Sequence, residues 1–145
     1  MSVKHNVKFI LIGGYAVIYH GYERTTGDMD IWLKPSNENR DKFVAALKEH
    51  GTDQEGLDTL INMDFTKPQV LHIGKMPNKI DFLTKVQGLN FEEAARQSVT
   101  LQLKNKHIPV LHFDHLIINK LLTGRMQDKA DVEKLKKIHR LKNRG

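Results

Sequence analysis

The sequence predicts a mixed α+β domain in which helices cover one side of a sheet. Three observations support this class. Short apolar or alternating segments, bounded by Gly or Pro and typical of strands, recur as far as residue 111. Segments with helical spacing separate them, and two more close the chain. No repeat, low-complexity tract or linker interrupts the 145 residues, so we expect one domain over residues 1–145.

The first half of the chain is predicted to alternate strands with helices. Continuous apolar character indicates a buried strand, and period-two alternation indicates a half-buried one. Residues 52–68 carry the weakest pattern. The predicted elements are a strand at 7–12, a helix at 15–20 closed by Gly21, a strand at 28–33, a helix that starts at Ser36 or Asn37 and is stopped by Gly51, and a short helix near 57–61.

The second half is predicted to contain two hairpins and three helices. The second hairpin, which contains Pro109, is placed at the sheet edge, where a proline is tolerated. Asp114 is the expected cap of the helix that follows. The predicted elements are strands at 70–73 and 79–83, a helix at 91–97, strands at 99–103 and 107–111, a helix from Asp114 to Gly124, and a helix at 127–141.

Composition limits the classes of function. No apolar run reaches the ~20 residues that a membrane span requires, and no signal peptide is evident. The chain has no cysteine, which excludes thiolate chemistry and is compatible with the cytoplasm. The net charge of +6 favours polyanionic partners such as nucleotides or RNA. Much of the excess lies in the last dozen residues, which fit a solvated helix end as well as an RNA contact.

The segment Asp28-Met29-Asp30 carries the main chemical signal. On a strand, Asp28 and Asp30 share one face, roughly 6–7 Å apart, while Met29 faces the other side. Two carboxylates so placed repel each other unless a cation lies between them. Mg²⁺ with oxygen ligands is the simplest such cation.

Asp81 is the predicted third carboxylate. Its neighbours Ile80 and Phe82 are apolar, so the acid should point away from the core. If its strand pairs with that of Asp28 and Asp30, all three acids emerge on one open face. Three such acids can hold two metal ions about 3.5–4 Å apart. Asp81 would then help to take the proton of an attacking hydroxyl.

Gly13 and Gly14 end the first predicted strand. Two glycines before a helix allow backbone N–H groups to approach phosphate oxygens. Neither a P-loop nor a three-glycine dinucleotide fingerprint is present. Taken alone, Gly-Gly also fits a tight strand–helix turn.

These motifs together resemble the nucleotidyltransferase superfamily of the DNA polymerase β type, and in particular its minimal and abortive-infection toxin-related bacterial members. Their pattern is Gly-Gly or Gly-Ser, about a dozen residues, an Asp-x-Asp strand and a later strand Asp. A second resemblance, to a Lys…Arg…Asp-x-x-Asp signature of the toxin group, lies near the C-terminus. The matching residues are Gly13, Gly14, Asp28, Asp30 and Asp81, then Lys120, Arg125, Asp128 and Asp131.

The resemblance implies a short mixed β-sheet with helices on one face and the carboxylates on the open face. It implies transfer of a nucleoside monophosphate from an NTP to a hydroxyl, with two Mg²⁺ ions and pyrophosphate leaving. We expect no separate acceptor-binding domain, so a second copy in a homodimer or a partner protein would supply the acceptor surface. The implied nucleotide-binding residues are Gly13, Gly14, Arg24, Thr26, Lys120 and Asp128.

Several of these residues admit a structural interpretation as well. Arg24 could contact the triphosphate or pair with Asp28, and Thr26 could bind a phosphate or stabilise the turn. Lys120 could reach the triphosphate or be a solvated lysine on an amphipathic helix.

The C-terminal acids and histidines are also open to structural roles. Asp128 and Asp131 could orient Lys120 or Arg125, or favour the positive end of the last helix, which we prefer for Asp131. His112 and His115 lack metalloprotease spacing and are expected at the surface or as caps.

Three functions remain open from the sequence. The first is a Mg²⁺-dependent nucleotidyltransferase acting on tRNA or other RNA, a protein or a small molecule, with a possible toxin–antitoxin role. The second is a non-catalytic nucleotide- or RNA-binding module, whose binding would weaken steeply with salt. The third is one half of a toxin–antitoxin or substrate-recognition pair that acts by association. The sequence does not specify the NTP.

Overall fold

A computed structural model describes residues 6–13, 28–74, 79–103, 106–123 and 126–143, with the backbone alone at 28, 103, 123, 126–128 and 141–143. The predicted helix at 15–20 lies outside these ranges. The described part contains six strands and five helices. The strands are β1 (Phe9–Ile12), β2 (Asp28–Leu33), β3 (Val70–Ile73), β4 (Lys79–Leu83), β5 (Val99–Leu103) and β6 (Lys106–Val110). The helices are α1 (Asn37–Glu49), α2 (Gln54–Ile61), α3 (Phe91–Gln97), α4 (Phe113–Thr123) and α5 (Met126–Asn143).

The strands form one mixed sheet in the order β3-β4-β2-β1-β6-β5, which confirms the predicted α+β class. β1 runs antiparallel to β2, and the two hairpins β3–β4 and β5–β6 flank this central pair. β4 is parallel to β2 and β6 is parallel to β1, so the connections that join these pairs must cross over the sheet. Both predicted hairpins are therefore present, one at each edge.

The hairpin that contains Pro109 lies at the edge of the sheet, as the sequence predicted. Pro109 lies in β6, the inner strand of its hairpin, and β5 is the edge. The ladder between β1 and β6 is short, with Leu11 opposite Val110. Leu111 donates its N–H to the carbonyl of Leu11 at 3.0 Å. Because the residue after Val110 supplies this donor, the missing N–H of Pro109 does not prevent the pairing.

The core lies on both faces of the sheet, so the prediction that helices cover one face only was wrong. On one face, Phe43 of α1 packs against Phe82 of β4 with ring centroids 4.8 Å apart. On the other, Trp32 of β2 meets Phe91 of α3 edge to face at 5.2 Å. The indole N–H of Trp32 donates to the carbonyl of Thr84 at 3.2 Å, which satisfies the polar atom of a buried side chain. The α3 helix therefore covers the end of the sheet that bears Trp32.

The helix starts follow ordinary capping chemistry, with one correction. Ser36 is the cap of α1, and its side chain accepts the N–H of Asn39. Asp114 is not the cap of α4, because that helix already begins at Phe113. Instead, Nδ1 of His112 accepts the N–H of Asp114 at 3.1 Å, so an imidazole takes the place of the expected carboxylate.

The segment between α2 and β3, which the sequence defined least, is held by polar side chains. Asn37 accepts the N–H of Phe65 at 2.8 Å, and Arg40 donates to the carbonyl of Met63 at 2.9 Å. Asp64 accepts hydrogen bonds from the hydroxyl and N–H of Thr66. These hydrogen bonds hold the pKa of the Asp64 carboxyl below its usual value.

Asn39 joins α1 to the start of β1. Its side chain is 2% exposed and binds both backbone groups of Lys8, the N–H at 2.8 Å and the carbonyl at 3.0 Å. It also donates to the carbonyl of Lys34 at 3.2 Å.

No helix in the described part of the chain is long and apolar enough to cross a membrane.

We predict that Asn39→Ala lowers the free energy of unfolding by about 2–3 kcal/mol, because it removes three hydrogen bonds made by a buried side chain, one of them to the N–H of Lys8. Urea denaturation measures this loss. Asn62→Ala is the matched control, since Asn62 is exposed and makes a hydrogen bond within its own helix to the carbonyl of Asp58. Equal losses for the two variants would contradict the role given to Asn39.

Candidate active site

A row of four residues crosses the sheet at the end of β1. Ile12 lies opposite Asp30, Asp30 opposite Asp81, and Asp81 opposite His72. Residues directly opposite each other on neighbouring strands project from the same face. The side chains of Asp30, Asp81 and His72 therefore share one face, as the sequence predicts for the two acids.

The carboxylate of Asp81 has two basic neighbours. Nδ1 of His72 lies 2.6 Å from its Oδ1, and Nζ of Lys79 lies 3.5 Å from the same oxygen. The Asp81 side chain is 18% exposed, and Asp30 is also partly buried. Positive charge beside Asp81 offsets the repulsion that two acids on adjacent strands would otherwise feel.

Gly13 packs directly against Asp30. Its φ of +69° lies in the left-handed region, which side-chain-bearing residues rarely adopt. A Cβ built on Gly13 would overlap Oδ2 of Asp30 and lie 3.0 Å from its Cγ. Only glycine fits here, for both conformational and steric reasons. Gly13, which the sequence predicts to approach phosphate, therefore lies beside the carboxylate of Asp30.

The start of α4 and Gly13 lie at the same end of the strands, which is the carboxyl end of β1 and β6. β6 runs parallel to β1 with Val110 opposite Leu11, so the carboxyl ends of both strands meet at one edge. Two residues past Leu11 stands Gly13, and three past Val110 α4 begins. The helix that carries Lys120 therefore starts at the same end of the strands as Gly13.

Lys120 is not the solvated lysine that one interpretation described. It is 5% exposed, and its Nζ lies 3.1 Å from Oδ2 of Asp131, which is 0% exposed. The preferred role of Asp131, a helix-end charge facing solvent, was therefore wrong. The alternative, that an acid of α5 holds Lys120, describes the observed pair. Contact between Lys120 and a nucleotide stays a prediction.

The remaining predicted site residues are described in part or not at all. Gly14, Arg24 and Thr26 lie outside the described residues. Asp28 is described through its backbone, which pairs with Lys79, and Asp128 through its place in α5. Among side chains that the structure describes, no three His, Asp or Glu residues form a cluster able to hold a metal ion. The three-carboxylate site, which requires Asp28, stays a prediction.

Three residues of this region were missed or misjudged from the sequence. His72 and Lys79 were not singled out, although the hairpin around residues 74–78 could have given the register that brings them to Asp81. His115 is not at the surface as expected, but 8% exposed, and its Nδ1 lacks a hydrogen-bond partner in the part of the chain that is described.

Comparison with models of known protein families shows which family the chain belongs to. The model of the aminoglycoside-2''-adenylyltransferase family matches residues 1–135. The chain belongs to this family. Aminoglycoside-2''-adenylyltransferases are members of the nucleotidyltransferase superfamily, so the resemblance to that superfamily is confirmed, and the chain is a nucleotidyltransferase.

A solved structure supports the fold of this adenylyltransferase family member. The lincomycin-bound crystal structure of the lincosamide antibiotic adenylyltransferase LnuA is similar to it, with a TM-score of 0.50 and 18% identity. The match covers 94% of this chain and 90% of LnuA. Curated proteins give no match to the chain.

We predict that Gly13→Ala destabilises the protein more than Gly51→Ala. Both positions have positive φ, which should cost an alanine about 1–2 kcal/mol. The structure describes no atom within 4 Å of a Cβ at Gly51, whereas a Cβ at Gly13 overlaps Asp30. Urea unfolding of the two variants should therefore differ by a further ~1 kcal/mol or more. Equal losses would show that the contact with Asp30 is not tight.

We predict that Lys120→Met lowers the free energy of unfolding by about 3–5 kcal/mol, because Asp131 is left buried without its cation. The double variant Lys120→Met/Asp131→Leu should recover most of this loss. Lys129→Met, at an exposed position of α5, is the control and should change stability by no more than about 0.5 kcal/mol. A double variant that loses the sum of the two single losses would contradict a coupled pair.

Proposed function

We propose that this nucleotidyltransferase moves the adenylyl group of ATP to a hydroxyl of a small-molecule acceptor, with Mg²⁺ as cofactor. The observation that carries the proposal is the pairing of Asp30 with Asp81 on one face, beside the left-handed backbone of Gly13. Like charges at a cross-strand position destabilise a sheet, so their presence indicates that the site has another use.

The donor set fits Mg²⁺. Strands pair about 4.8 Å apart, so carboxylates directly opposite each other can reach one ion between them. Carboxylate oxygens are the ligands that Mg²⁺ prefers. Asp30 and Asp81, with Asp28 two residues along the same strand, would hold it. Bound Mg²⁺ would neutralise phosphate charge and make the acceptor hydroxyl easier to deprotonate.

The residues of the site then have separate tasks. The acceptor oxygen attacks the α-phosphorus of ATP, the bond from that phosphorus to the bridging oxygen breaks, and pyrophosphate leaves. Asp81 accepts the proton of the acceptor hydroxyl. The backbone N–H of Gly13 would approach the phosphate oxygens. A role for Lys120 at the triphosphate stays a prediction from the sequence, because its ammonium is paired with Asp131.

The family favours a small-molecule acceptor over a macromolecule. Its name specifies adenylyl transfer to an aminoglycoside, and the structurally similar LnuA is an adenylyltransferase of lincosamide antibiotics. We therefore propose an acceptor with several hydroxyls, modified in the cytoplasm, where ATP is available. An RNA or protein acceptor, a toxin-related role and a homodimer that completes the acceptor surface remain predictions from the sequence.

We predict that Asp30→Asn reduces adenylyl transfer by about 10³-fold, because it removes a metal-binding charge worth several kcal/mol in the transition state. The assay uses ATP labelled at the α-phosphate, Mg²⁺ and separate panels of aminoglycosides, lincosamides and total RNA. Asp114→Asn, at an exposed acid of α4, should keep full activity.

The choice of acceptor panel decides between the alternatives. Label on an antibiotic supports the small-molecule proposal, and label on RNA alone replaces it with an RNA-modifying activity. If Asp30→Asn labels any acceptor as fast as the parent protein does, the catalytic role of the carboxylate row is wrong.

A further inference from the structure

The imidazole of His72 forms the shortest described contact of the carboxylate row. Its Nδ1 lies 2.6 Å from Oδ1 of Asp81. An ionised carboxylate can only accept hydrogen bonds, so Nδ1 must carry the proton and donate it. His72 itself is on the edge strand β3, and its side chain is 57% exposed.

The backbone fixes this contact. Leu71 lies opposite Phe82 and Ile73 opposite Ile80, so the residues on either side of His72 are also paired across the β3–β4 ladder. Leu71 and Ile73 are half-buried and pack against the core on the opposite face. A slip of the strand by one residue would expose them, so the register that places His72 beside Asp81 is well determined.

All contacts that the described residues make with the Asp81 carboxylate fall on one oxygen. His72 and Lys79 both approach Oδ1, at 2.6 and 3.5 Å. The ammonium of Lys79 is a point charge on a flexible stem and sets no direction. The imidazole is a rigid ring with one N–H direction, so it can fix the rotation of the carboxylate.

We propose that His72 is a positioning residue for nucleotidyl transfer. It donates Nδ1–H to Oδ1 of Asp81 and so turns Oδ2 towards the acceptor hydroxyl and the metal. This inference rests on the proposed function, in which Asp81 takes the acceptor's proton. Comparable hydrogen bonds to ligating or proton-accepting groups change affinity or rate by about 10–100-fold when they are removed.

A purely structural role for the pair predicts a different outcome. Exposed ion pairs contribute little to stability, so removal of His72 should leave the unfolding midpoint almost unchanged whichever role is correct. The two roles differ in the turnover number of the enzyme, and in whether a substitute donor restores it.

The kinetic test compares three variants of one strand face. His72→Leu removes the donor, His72→Asn keeps an amide N–H near the position of Nδ1, and Val70→Ala alters the next exposed residue on that face as a control. We expect kcat to fall about 10–100-fold for His72→Leu, with KM for ATP unchanged. His72→Asn should recover most of kcat, and Val70→Ala should match the parent.

A second measurement needs neither metal nor substrate. Nitrogen-15 NMR of the metal-free protein, at alkaline pH where free imidazoles are neutral, reports which ring nitrogen carries the proton. We expect the Nδ1–H tautomer for His72 in the parent protein and a shift towards Nε2–H in Asp81→Leu. The Nε2–H tautomer in the parent protein would overturn the proposed hydrogen bond.

The outcomes separate this inference from the proposed function. A parent protein that transfers no nucleotide to any acceptor would overturn the proposed function. An active parent protein with an equally active His72→Leu variant would overturn the positioning role alone. A loss of kcat that His72→Asn does not restore would likewise contradict positioning through the donated proton.

Discussion

The pairing of Asp30 with Asp81 across two central strands is the constraint on which the site depends. It places two negative charges directly opposite each other, which destabilises a ladder. The register is nevertheless fixed, because Ile31 and Phe82, the next residues along each strand, are buried on the other face. A shift of one residue would bury the acids and expose these two side chains, which costs far more than the repulsion.

The residues around Asp30 and Asp81 reduce the repulsion between the two carboxylates and leave both of them charged. Lys79 brings positive charge and His72 a hydrogen-bond donor to one oxygen of Asp81, and Gly13 allows the chain to turn tightly against Asp30. A structural ion pair would be satisfied by such partners alone. Here the acids also stay partly exposed at one edge of the sheet, which is what binding of a charged ligand requires.

Much of the fold followed from local sequence patterns. Period-two alternation located β2 and β4 and gave the shared face of Asp30 and Asp81, because side-chain direction in a strand is a local property. Caps and glycines set most helix limits within one to three residues. Strand neighbours are not a local property, which is why the sequence did not show that Pro109 lies in the inner strand of its hairpin.

Long-range polar contacts were the other part that sequence reasoning could not supply. Nothing in the spacing of α4 and α5 shows that Lys120 and Asp131 face each other in the core. Likewise, Asn39 resembles any polar residue of an exposed helix until the backbone of Lys8 is placed beside it. Such pairings depend on how distant elements pack, so only the tertiary structure shows them.

The most direct test of the joint site is a double-mutant cycle on metal binding. Electron paramagnetic resonance would measure the affinity for Mn²⁺ with ATP in the parent protein, Asp30→Asn, Asp81→Asn and the double variant. If the two acids form one metal–nucleotide site, each single variant should bind Mn²⁺ with ATP at least about 10-fold more weakly than the parent protein. The double variant should then bind only slightly more weakly than the single variant that has the lower affinity. Unchanged affinities, or losses that multiply as for independent sites, would contradict a shared site at Asp30 and Asp81.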